Sequence, residues 1–158
     1  MIRKTIICTA LLALLAVVRS SGAEFLTGTV STIIDGDSLL LSTDTKKIEI
    51  RLYGIDCPEY RQAYSRAAKK FVQASVSGSR VQVLPYYKDS YGRSIAMVFI
   101  GERALNGDLV EAGLAWVHPA YCHKPICREW KDLERRARQE KRGLWQEPKA
   151  IPPWQWKK

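Results

Sequence analysis

Histidine and cysteine are scarce in this chain, two and four among 158 residues, and their placement excludes several chemistries. His118 and His123 stand beside Cys122 and Cys127, yet the four lack the paired spacing of a structural zinc site. Cys57 has no histidine near it in sequence, so a packing role is expected for it rather than that of a base-activated nucleophile. After residue 23 no run approaches the roughly 20 apolar residues that a spanning helix needs, which argues against a membrane-embedded protein. No internal repeat is present. Acidic residues are the minority, 16 against 25 lysines and arginines, and the net charge of +9 favours polyanionic partners such as nucleic acid.

The one long apolar run is N-terminal. Arg3 and Lys4 precede apolar residues 6–18, and Ser21-Gly22-Ala23 supplies small residues for cleavage, so residues 1–23 read as a secretory signal and the protein as secreted or periplasmic. Removing them takes away Arg3, Lys4 and Arg19 and no acid, so the +9 charge falls by three to +6, and 158 residues fall by 23 to 135. That length suits one domain with an adequate core. Cys8 leaves with the signal, and in an exported protein a local Cys122–Cys127 bridge is expected, with Cys57 left free.

Residues 25–34 are rich in Thr, Val and Ile and read as a strand ending at Asp35-Gly36-Asp37. Asp-Gly is a favoured pair for a positive-φ hairpin turn, which accounts for Asp35 and Gly36 better than for Asp37. Residues 38–42 make a second strand. In residues 47–53, Ile48, Ile50 and Leu52 alternate with Lys47, Glu49, Arg51 and Tyr53, the pattern of a half-buried strand with Arg51 on the outer face. This meander returns Arg51 and Asp56 toward the end that carries Asp37. Gly54 and Pro58 should make the turn bearing Asp56 and Glu59 stiff. On these residues alone, the carboxylates could equally be a site for metal or water or a solvated loop with weak ion pairs.

Helical spacing of Ala63, Ala67, Phe71 and Ala74 predicts a helix over 61–76. Val81 and Val83 begin a fourth strand, which Pro85 should confine to an edge or an end, and residues 94–100 make a buried fifth. The loop between, residues 86–93, mixes three tyrosines with a lysine and an arginine, types suited to bases and phosphates but also to capping a barrel. Two further helices follow, at Leu105, Leu109 and Ala112 with Gly113 as a stop, and at Ile126, Trp130, Leu133 and Ala137. Residues 24–147 are thus expected to form one domain, and 148–158, with three prolines and two tryptophans, an extended basic tail.

Five strands with a helix between the third and fourth and more after the fifth predict an α+β fold, a five-stranded OB-type β-barrel with three flanking helices. With Ile34-Asp35-Gly36-Asp37-Ser38, Arg51-Leu52 through Asp56-Cys57-Pro58-Glu59, Asp89-Ser90-Tyr91-Gly92-Arg93, and Gly113-Leu114-Ala115-Trp116 followed by Gly143-Leu144-Trp145, the sequence resembles the staphylococcal nuclease (thermonuclease-like) family from about Val30 to Trp145. The resemblance implies that Asp37 and Asp56 ligate calcium by their carboxylates and Cys57 by its backbone carbonyl. It implies that Glu59 activates or orients the attacking water, and that Arg51 and Arg93 bind the scissile phosphate. Tyr91 would contact a phosphate and Tyr121 the base. His118-Pro119 and the Cys122–Cys127 insertion stand where a second base-flanking tyrosine would be. The link from Glu59 to the helix is shorter than in the best-known member, so a mobile loop over the site should be missing.

The implied activity is calcium-dependent hydrolysis of DNA and RNA by a monomer, single strands preferred, with the 5′ oxygen leaving to give 3′-phosphate ends. Phosphodiester hydrolysis builds negative charge on the phosphoryl and leaving oxygens, which a divalent ion and two guanidiniums are suited to meet. The alternative is a non-catalytic OB module that binds single strands through a basic groove. The full set of Arg51, Glu59 and Arg93 favours the enzyme.

Overall fold

In chain order the elements are β1 (Leu26–Ile33), β2 (Ser38–Ser42), β3 (Lys47–Leu52), β4 (Ile55–Asp56), α1 (Ser65–Val76), β5 (Arg80–Lys88), β6 (Ser94–Ile100), β7 (Arg103–Ala104), α2 (Leu105–Glu111), β8 (Trp116–Val117) and α3 (Ile126–Gln139). They belong to a computed structural model that describes residues 24–156, so the expected signal at 1–23 lies outside the described residues. β1, β2 and β3 form the antiparallel meander, β1 also pairs with β5, and β5 with β6. β3 and β6 then run parallel, Arg51 opposite Ile95, and close the ring. The fold of the described residues is therefore the expected α+β one, a closed barrel of five strands with three helices. β7 turns back to pair antiparallel with the end of β6, and β4 pairs with β8 beside the barrel.

Alternation fills the interior. Leu39, Leu41, Ile50, Leu52, Val81, Val83, Ala96 and Val98 are all buried, with α1 adding Ala68 and Val72 and α2 adding Leu105 and Leu109. Asn106 of α2, wholly buried, ties the closure together: its Oδ1 accepts from Val98 N–H at 3.1 Å and its amide donates to the Tyr53 and Ala96 carbonyls at 3.1 and 3.2 Å. Such a satisfied buried amide specifies the alignment of β3 on β6, where an unpaired one would be costly.

The structure alters four expectations. α1 starts at Ser65 rather than Arg61, because Arg61 and Tyr64 hold positive φ values of 68° and 67°, which a right-handed helix cannot contain. Gln62 organises that bend: Glu59 N–H donates to its Oε1 at 2.8 Å, and its own N–H donates to the Glu59 carbonyl at 2.8 Å. Gly36 is not left-handed. It is needed for close approach, since a Cβ there would fall 2.7 Å from Cys57 Cβ and 2.8 Å from Ala68 Cβ. β5 runs on through Pro85 to Lys88, so the first three residues of the expected 86–93 loop are strand. That is possible because β1 meets β5 only as far as Val83, leaving Pro85 without a neighbour on that side, and a register shift after Pro85 absorbs its lack of a donor on the β6 side. The tail, expected to be extended, turns in a short 3-10 segment at Pro153–Gln155 that packs on the domain. Cys122 and Cys127 form a disulfide and Cys57 is a free, buried thiol. No helix among the described residues is long and apolar enough to cross a membrane.

Candidate active site

The site begins with register. Ser38 lies opposite Arg51 across β2 and β3, and the Leu52 N–H donates to the Asp37 carbonyl at 2.8 Å, so Asp37 is fixed beside the last residues of β3. Gly54, at φ 71°, turns the chain so that β4 brings Asp56 back to the same point. Arg51 then reaches between them, donating from Nη1 to Asp37 Oδ1 and from Nη2 to Asp56 Oδ1. Cys57 N–H donates to the other Asp37 oxygen. The outer face of β3 thus delivers Arg51 not to open solvent but to a half-buried ion triad.

Burial dominates the electrostatics here. It pushes the Asp37 carboxyl, 2% exposed, up to about 8 despite the opposing pull of Arg51, and Asp35 adds to the rise. Asp56 is raised for the same reason, again against Arg51. Burial opposes the charge on Arg51, but Asp37 and Asp56 outweigh it and hold the guanidinium firmly protonated. The Cys57 thiol is pushed well up by burial, which suits packing and not nucleophilic attack.

The triad divides a groove in two. On one side a cavity of about 370 Å³ is lined by Asp35, Asp37, Arg51, Glu59, Arg66 and Lys69. On the other, about 260 Å³ is lined by Arg51, Asp56, Tyr91, Arg93, His118 and Tyr121. The Glu59 carboxylate is exposed and makes no hydrogen bond or ion pair to the described residues, whereas its backbone is gripped by Gln62. Arg93 is half-buried, its Nε donating to Asp89 Oδ2 at 2.7 Å, with its guanidinium 5.5 Å from the Tyr91 ring centre. Tyr91 and Tyr121 are 84% and 60% exposed, free to meet a ligand. Every residue singled out from the sequence therefore lies at this groove: Asp37, Asp56, Cys57 and Arg51 in direct contact, Glu59 on one flank, and Arg93, Tyr91 and Tyr121 on the other.

Among the described residues no three Asp, Glu, His or Cys side chains converge as a metal cluster. Asp37 and Asp56 bring two carboxylates to one point beside Arg51, hard oxygen donors of the kind a divalent cation takes. Asp35, Asp37 and Asp56 all bring negative charge to the one guanidinium of Arg51, so a proton or a bound cation among them is favoured over three bare carboxylates.

Sequence reasoning missed the parts played by Gln62, Lys69 and Trp154. Gln62 falls inside the helix expected over 61–76, and only the bend at Arg61 and Tyr64 gives it a separate task. Lys69 donates to the Ile34 carbonyl at 3.0 Å, tying α1 to the end of β1. Trp154 packs against His118, ring centres 4.6 Å apart, and an aromatic within a proline-rich tail was the available signal.

Comparison with known proteins agrees with this geometry. The family described as Staphylococcal nuclease homologue matches residues 49–147. An uncharacterized endonuclease of Escherichia coli O157:H7 is 36% identical over 131 residues, covering 82% of this chain and 84% of its own. One of Haemophilus influenzae is 33% identical over 159 residues, covering 100% and 88%. A micrococcal nuclease of Shigella flexneri is 32% identical over 140 residues, covering 83% and 80%. The barrel, the groove and these matches together place the chain in the family of staphylococcal nuclease homologues.

Proposed function

We propose that this chain is an exported, calcium-dependent nuclease that hydrolyses phosphodiester bonds of DNA and RNA, prefers single strands and works as a monomer. One observation carries the reading: a guanidinium set between two buried carboxylates at the midpoint of a groove, with a glutamate unpartnered among the described residues on one side and a second arginine on the other. The basic leader residues Arg3 and Lys4 and the Cys122–Cys127 disulfide support export to an oxidising compartment.

Asp37, Asp56 and the Cys57 carbonyl would hold calcium, which supplies positive charge against the oxygens where negative charge grows in the transition state. Arg51 and Arg93 bind the scissile phosphate from the two halves of the groove and meet the same developing charge with planar donors. Glu59, exposed at the groove, orients a water for attack on phosphorus. The 5′ oxygen leaves, so products are expected to carry 3′-phosphate and 5′-hydroxyl ends. Polynucleotide kinase should label those 5′ ends without prior phosphatase treatment, and products that need phosphatase first would contradict the direction of attack.

The raised carboxyls give a pH dependence. Asp37 holds its proton up to about 8 in the folded protein against an ordinary value of 3.8, so its contribution to stability is full below 3.8 and declines as pH rises to about 8. Calcium competes with that proton. A fixed calcium concentration should therefore raise the melting temperature little at pH 5 and most at or above pH 8. An increment independent of pH, read by thermal unfolding with and without calcium, would count against these ligands.

A further inference from the structure

The C-terminal segment is anchored on Gln62 and reaches His118 at the edge of the groove. Gln62 is 7% exposed and uses both ends of its amide: Oε1 accepts the Glu59 N–H at 2.8 Å, and Nε2 donates to the Ile151 carbonyl, 89 residues away in sequence, at 2.5 Å. From that anchor Pro152 and buried Pro153 lead into the turn Pro153–Gln155, which sets the Trp154 ring on His118 at 4.6 Å and 52° between planes. His118 also meets Tyr121, at 4.4 Å and 44°. Ala120 N–H donates to His118 Nδ1 at 3.1 Å, so the backbone sets the imidazole's orientation. His118 and Tyr121 line the cavity that also holds Arg51, Asp56 and Arg93.

His118 and Tyr121 thus line the cavity beside Arg51 and Arg93, and Trp154 continues the row of rings from His118. Two of them keep open surface, Trp154 41% and Tyr121 60% exposed. An indole left this open on a segment held by a buried hydrogen bond is poorly explained by core packing, and it matches the rigid aromatic face on which unpaired bases stack. Bases in a duplex hide their faces from such rings, whereas those of a single strand do not.

We propose that Trp154, held on His118 by the C-terminal segment, belongs to a nucleobase-stacking subsite that grips unpaired bases of the strand in the groove. The identity of the ligand as nucleic acid rests on the nuclease reading, while the subsite itself is tested by binding. Residues 24–158 and the variants Trp154→Ala and Trp154→Phe are compared for affinity toward a labelled oligodeoxythymidylate in excess chelator, and toward the same backbone carrying abasic sites. Trp154→Ala should weaken binding of the thymidylate about ten-fold, near the lower end of what one stacked base contributes, and Trp154→Phe should retain most of it. The abasic strand should not distinguish parent from Trp154→Ala. In cleavage, KM should rise by a similar factor and kcat should change far less.

Unchanged affinity in Trp154→Ala, or an equal loss on the abasic strand, overturns the subsite. A fall in kcat with normal binding also overturns it, since the tail would then merely support Glu59 through Gln62. If the parent binds the strand with this pattern but never cleaves it, the nuclease reading fails and the subsite stands. If the parent binds no strand, both fail.

Discussion

Glu59→Gln is expected to slow single-turnover cleavage of a labelled single strand by about 10²-fold or more, while binding in chelator and thermal stability stay near those of the parent. The structure makes this substitution clean. The carboxylate is exposed and without a partner among the described residues, and what fixes the residue is its backbone N–H on Gln62, which the amide variant keeps. Gln62 and the turn are untouched, so a loss must come from the missing negative charge beside the water. Cleavage at the parental rate would remove Glu59 from its role. Asp35 would then be the next carboxylate to test, because it lines the same cavity, whereas Glu49 lies exposed on β3 opposite Leu40 and does not line it.

Arg51→Ala should damage the protein in two ways, and here the two arginines part company. Turnover should fall as for any lost phosphate contact, but Asp37 and Asp56 would also lose the charge they share. Breaking a half-buried pair of this kind costs about 3–5 kcal/mol in comparable cases. Because Asp37 and Asp56 are already raised by burial, protonation relieves part of that loss, so the deficit in chemical denaturation should be smaller at pH 5 than at pH 9. Added calcium should restore part of it at pH 9. Arg93→Ala should reduce turnover with little effect on stability, since its partner Asp89 sits in a surface loop and does not depend on it for burial. Equal stability losses in the two variants would show that the Arg51 triad does not hold the fold.

The barrel was readable because its signals are local and repeated. The bounds of β2 and β6 follow from a short turn and an apolar run, and the alternation in β3 correctly set Ile50 and Leu52 inside with Arg51 opposite, whereas Tyr53, expected on the outer face, lies past the end of the strand and is buried against Tyr86. Most of the residues that the structure gathers at the groove stood in three short motifs of the sequence, around Asp37, from Arg51 to Glu59 and from Asp89 to Arg93. What escaped depends on contacts distant in sequence. Gly36 is required by Cys57 and Ala68, neither of which a two-residue turn rule can see. The helix pattern from Arg61 was genuine in its spacing, yet the hydrogen bonds between Glu59 and Gln62 impose a bend that defeats it. Likewise the tail's composition announced a proline-rich chain but not the buried amide, 89 residues back, that anchors it.

Cleavage of single-stranded DNA by residues 24–158 in excess chelator, followed by return of calcium, tests the central claim most directly. The groove described here predicts that cleavage falls to background, recovers fully with calcium, and fails to recover at the same calcium concentration in Asp37→Asn. Undiminished cleavage in chelator would contradict it.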